Sequence, residues 1–113
     1  MAWEIKFERG AIVLVNHVTG QPKTIADPNF DSSNDNAFAI LYAHPGRKFS
    51  LKELQEEARD RTIGDLHKLV ENLKFTGALK KAFFRVSRDA IRFHPTVSQG
   101  QLATLRIDPR TIS

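Results

Sequence analysis

The apolar pattern of this chain changes period twice, and that change limits the fold more than any other feature. Trp3, Ile5 and Phe7 recur at every second position, with Glu4 and Lys6 between them. From Phe38 to Leu73 the spacing becomes three or four: Phe38, Leu41 and Tyr42; then Leu51, Leu54 and Ala58; then Ile63, Leu66, Leu69, Val70 and Leu73. Between Phe84 and Phe93 the period is two again. A period of two alternates side chains across a strand, whereas a period near 3.6 lays one stripe along a helix. The pattern therefore predicts an α+β domain, with an N-terminal antiparallel sheet, three helices and a C-terminal hairpin.

Turn and cap residues punctuate that order. "ERG" separates the first strand from "AIVLV", residues 11–15, which is apolar on both faces and suits a central strand covered on both sides. "TGQP" turns the chain towards a third strand at "KTI". "DPNFDSSNDN" offers several helix N-caps, and a helix is expected from about Asp35 to Ala43, where Pro45 disfavours the helical state at His44. "RKF" leaves room for a short strand. Ser50-Leu51-Lys52-Glu53 is a capping box opening a helix over about 51–60. Thr62 can cap the third helix, with Asp65 in its first turn and Gly77 ending it in the left-handed conformation. The hairpin follows over Lys80 to His94. The expected domain is 1–95, including the sheet over 3–26; residues 96–113 form either a further strand, through "LATLRI", or a tethered extension.

The hairpin specifies its own register. With Arg88-Asp89 at the turn, Val86 faces Ile91 and Phe84 faces Phe93 on the inner side. The same register sets Arg85 opposite Arg92 on the outer side, where like charges destabilise the pair. Either the two arginines splay into water, or they meet an anion.

Charge is distributed unevenly. The chain has 113 residues and a net charge of +4. Residues 1–46 hold three basic against five acidic residues, 47–75 seven against six, and 76–113 seven against two. A basic C-terminal third fits a polyanion partner such as nucleic acid, or else a solvated face. No apolar run approaches the roughly 18 residues of a membrane helix, so no membrane association is expected. The N-terminus lacks a basic region followed by an apolar one, and with no cysteine in the chain the expected location is cytoplasmic.

The function classes narrow further. The histidines, His17, His44, His67 and His94, include no i, i+4 pair, so no metal site is expected. Asp31, Ser33 and Asp35 have a partly calcium-like spacing, but Asn36 stands at the glycine position of that loop and Tyr42 at its final glutamate. Nucleophile motifs, phosphate-binding glycine loops and dinucleotide fingerprints are absent, so neither an enzyme nor a cofactor is expected.

"HPGRKFSLKEL", residues 44–54, resembles the segment of OmpR/PhoB-type effector domains that joins their first helix to their second. Those domains also begin with an antiparallel sheet, and "RTIGDLHKLVENL" and "FFRVSRDAIRF" are similar in position to their recognition helix and wing. The resemblance implies a winged helix-turn-helix that binds duplex DNA as a transcriptional regulator, here without a receiver domain. On it, His67, Lys68, Asn72 and Lys74 would face DNA from the third helix, and Arg85, Arg88 and Arg92 from the wing. Asp65 and Glu71 interrupt the helix face, and Glu53, Glu56, Glu57 and Asp60 make the second helix acidic. The alternative is therefore a winged-helix adaptor for a protein partner. A homodimer through an open face of the N-terminal sheet is a further expectation if the helices leave "AIVLV" uncovered.

Overall fold

The computed structural model describes residues 2–112 and contains an α+β domain with antiparallel sheets. Strands β1 (Trp3–Glu8), β2 (Ala11–Asn16) and β3 (Gln21–Ala26) form the meander, with Ile5 opposite Leu14 and Phe7 opposite Ile12. Gly10 permits its tight turn at a φ of 88°, and its amide donates to the buried Asp35. Ile12 and Leu14 are buried, while Val13 and Val15 are only half-buried. β2 is thus fully covered on one face, not both. Its outer valines lie beside Lys6 and Glu4 on one neighbour and Thr24 and Pro22 on the other.

Helix α1 (Ser33–Ala43) starts two residues earlier than expected, because Ser32 caps it by accepting from the Asp35 amide. The short β4 (Phe49–Ser50) leads into α2 (Leu51–Ala58). Its capping box is complete: the Glu53 amide donates to Ser50 Oγ and the Ser50 amide to Glu53 Oε1, both at 3.0 Å.

The third helix is shorter than its apolar stripe suggests. α3 spans Leu66–Asn72, and its cap is Asp65, which accepts from the Lys68 amide at 3.1 Å. Thr62 does not cap it and hydrogen-bonds Asp60 instead. The stripe is nevertheless buried throughout, with Ile63 contributing from the preceding loop. Lys74, at a φ of 69°, makes the left-handed turn where α3 ends; Gly77 is left-handed too, at a φ of 55°, but at the start of the next helix and not at the end of α3. That early turn sends Phe75 into the core and frees Gly77 to begin a further helix, α4 (Gly77–Phe83), which buries Ala82 and Phe83. The hairpin consequently starts at Phe84, not Lys80.

β5 (Phe84–Val86) and β6 (Ala90–Phe93) pair as the alternation predicts: Phe84 with Phe93, Arg85 with Arg92, Val86 with Ile91. β4 adds to β6, giving the order β4-β6-β5. β7 (Thr96–Val97) returns to pair with β1, so the first sheet has the order β3-β2-β1-β7. α5 (Gln99–Thr104) follows, with Ser98 and Gln101 forming a second capping box, and a 3-10 turn covers Pro109–Thr111. Val97, Leu102, Ile107 and Ile112 join the same core as the helices.

Phe38 on α1 connects the two sheets. Its ring centroid lies 4.9 Å from Phe7 and 5.0 Å from Phe93, both edge-on, while Phe75 stands 4.9 Å from Phe84. Such geometry favours aromatic packing beyond area burial alone. The inner face of the hairpin is therefore anchored, and its outer face is held towards solvent.

Candidate functional site

Bracing of the hairpin begins at its turn. The Ser87 amide donates to the Ala90 carbonyl at 2.8 Å, and the Ala90 amide returns to Ser87 Oγ at 3.2 Å. Arg88 and Asp89 are left exposed at the tip. On the outer face Arg85 and Arg92 stand opposite each other, yet they are treated differently. Arg85 bends back and donates to the carbonyls of Lys81 at 2.7 Å and Phe84 at 2.8 Å. Those carbonyls lie at the C-terminal end of α4, where partial negative charge accumulates. The like-charge pair is thus eased internally, by helix capping, and Arg92 is left without an ion-pair partner among the described residues.

Beside this pair runs a groove of about 680 Å³. Its rim carries Lys48, Lys80, Lys81, Arg85 and Arg92, together with His67 from α3. Its floor contains Phe84, Val86, Ile91 and Leu105, and no carboxylate among the described residues lines it. Lys80 Nζ donates to His67 Nδ1 at 3.2 Å, joining the third helix to the basic rim. None of the five rim cations forms an ion pair among the described residues. His94 registers the local charge: burial, then Arg85 and Arg92, hold its pKa below the ordinary imidazole value. It is therefore neutral near pH 7.

The residues singled out from sequence separate into groups. His67, Arg85 and Arg92 meet at the groove. Lys68 and Asn72 instead border a hollow of about 230 Å³ on another side of α3, with Asn34, Gly64 and Asp65. Lys74 is exposed where α3 ends, and Arg88 lies at the hairpin tip; neither lines the groove. Lys48, Lys80 and Lys81 went unnoticed in the sequence. The signal for Lys80 and Lys81 was present, since they are adjacent and fall in the basic C-terminal third.

Three of the carboxylates that interrupt the sequence, Asp65, Glu53 and Asp60, have structural duties. Asp65 caps α3, and the Glu53 carboxylate completes the α2 capping box by accepting from the Ser50 amide, with Arg47 3.8 Å away. Asp60 accepts from Ser33 and Thr62, which holds its carboxyl below the ordinary range. Glu56, Glu57 and Glu71 remain exposed. Among the described residues, no group of three or more His, Cys, Asp or Glu side chains is arranged to hold a metal ion. No helix among them is long and apolar enough to cross a membrane.

Comparison with protein-family models, with curated proteins and with solved structures returned no match.

Proposed function

We propose that the chain is a winged helix-turn-helix domain that binds duplex DNA, with the β5–β6 hairpin as its wing, and that it acts as a transcriptional regulator rather than as an enzyme. The observation that carries this reading is the groove itself: five cations from three separate segments converge on one concavity with no carboxylate of the described residues among them. Internal ion pairs do not account for that convergence, whereas a phosphate backbone does. The element order supports the same reading, with α2 and α3 preceding a hairpin whose second strand pairs with β4. α4 is an addition to the expected order, and it places Lys80 and Lys81 on the rim. Lys68 and Asn72, exposed on α3, are of types that read base edges.

Phosphate contacts position a protein without conveying sequence, so groove substitutions should weaken binding to all duplexes about equally. The test is fluorescence anisotropy with a random-sequence duplex over a salt series, comparing the parent protein with a Lys48→Ala/Lys81→Ala/Arg92→Ala variant. If each residue releases about one counterion, the slope of log K against log salt becomes shallower by about 2–3 units. An unchanged slope in a folded variant would remove the groove from the interface. No duplex binding by the parent at low salt would favour the protein-adaptor reading.

A further inference from the structure

The groove has a second chemical character that a phosphate backbone does not use. Between its cations lies the apolar floor of Phe84, Val86, Ile91 and Leu105, with Val86 and Leu105 only half-buried. A phosphodiester needs the rim alone. An apolar floor beneath a cationic rim matches a ligand with an anionic head and a hydrocarbon body. The volume, about 680 Å³, also falls within the ordinary size of small-molecule sites, about 300–1,000 Å³.

The rim cations are not equally available. Lys80 is held by His67, and Arg85 by the Lys81 and Phe84 carbonyls. Lys48, Lys81 and Arg92 have neither an ion pair nor a side-chain hydrogen bond among the described residues, and they remain to receive the head group. We propose that this groove is a binding site for a small organic anion with an apolar body, of the alkyl or aryl phosphate or carboxylate class, and that such a ligand excludes DNA from the same surface. The exclusion rests on the duplex-binding reading; the small-anion site does not.

The experiment uses anilinonaphthalene sulfonate, an anionic aromatic probe whose emission rises in apolar surroundings, with the full chain showing native near-ultraviolet dichroism. One saturable site is expected. Hexyl phosphate should displace the probe at a concentration at least about tenfold below that of inorganic phosphate, because only the former covers the floor. Lys81→Ala/Arg92→Ala should raise the hexyl phosphate requirement about tenfold through loss of charge-assisted contacts. Val86→Thr, which keeps the strand shape and adds a hydroxyl to the floor, should narrow the gap between the two phosphates to about threefold. Equal displacement by both phosphates, or undiminished probe binding in the folded charge variant, would overturn the site. In a parallel arm, hexyl phosphate at saturating concentration should release a labelled duplex that inorganic phosphate of equal ionic strength leaves bound. A duplex that stays bound while the groove is saturated overturns the exclusion alone. Absence of duplex binding without ligand overturns the duplex reading and the exclusion together, and the probe arm then decides the small-anion site by itself.

Discussion

Arg9 and Arg92 belong to the two sheets of the molecule, and their surroundings differ. Arg9, at the β1–β2 turn, donates through Nε to Asp35 at 2.7 Å and through a terminal nitrogen to Asn36, and its guanidinium lies 5.3 Å from the centroid of Phe30. Asp35 is fully buried and also accepts the amides of Gly10 and Asp31, each at 2.9 Å. Arg92, at mid-strand in the hairpin, faces Arg85 and an open groove. One arginine fastens a turn to a helix, and the other is supported by nothing the fold requires. The difference teaches that a cation's role is read from what neutralises it: internal acceptors mark a structural charge, and their lack marks one free for a partner.

Five experiments can break or sharpen that contrast. The largest effect is expected for Asp35→Ala, which strips an acceptor from two backbone amides and from Arg9. The loss should be about 2–4 kcal/mol, below the full cost of a buried broken pair because Arg9 is partly exposed. Urea titration measures it, and a loss under about 0.5 kcal/mol would erase the distinction between the two arginines.

Acidification comes next. Burial raises the Asp35 pKa, but the amides of Asp31 and Gly10 and the Arg9 guanidinium outweigh it and hold the carboxyl below its ordinary value. A depressed folded pKa means that the stabilisation is fully present above the unfolded carboxylate value, about 3.9, and is lost as pH falls through the folded one. Urea midpoints from pH 7 down to pH 3 should therefore decline more steeply in the parent than in Asp35→Asn. Parallel declines would assign the acid sensitivity to other groups.

Within the hairpin the effects shrink. Arg85→Ala removes two hydrogen bonds at the end of α4 and should cost about 1 kcal/mol by thermal unfolding. Arg92→Ala should change stability by no more than about 0.5 kcal/mol, in either direction. The double-mutant cycle of Arg85 and Arg92 isolates what remains of their repulsion, expected at a few tenths of a kcal/mol. A coupling well above about 1 kcal/mol would mean that capping by Arg85 does not relieve the pair.

The parts of the fold legible in the sequence are those specified by neighbours along the chain. The hairpin register follows from Phe84, Val86, Ile91 and Phe93 around a two-residue turn, and the α2 cap from Ser50 and Glu53. α4 was not legible. Its seven residues are too few to display a helical period, and Gly77 reads more readily as the end of one helix than as the start of another. α5 carried a usable signal, the Ser98–Gln101 capping box, which the apolar "LATLRI" overshadowed. Half of the site was out of reach for a different reason. Lys48 stands far from Lys80 and Arg92 in sequence, and only the packing of β4, α4 and β6 brings their side chains to one groove. Charge counts located the basic third of the chain but not the concavity that gathers it.

The pairing of β1 with β7 bears on the order in which the protein is made. The Ala2 amide donates to the Val97 carbonyl at 3.1 Å and the Ile5 amide to the Pro95 carbonyl at 2.7 Å, joining positions more than ninety residues apart or nearly so. A ribosome delivers the β1–β2–β3 meander well before the strand that seals it. Until then one side of β1 is an open ladder, its amides and carbonyls available to any passing extended segment, including the same strand of a neighbouring nascent chain. Such a distant closure also slows folding relative to the local hairpins, since the intervening loop must be ordered before the contact rewards it. The two residues of β7 thus fix the moment at which the start of β1 ceases to be an open edge, and leave β3 as the other edge of the sheet.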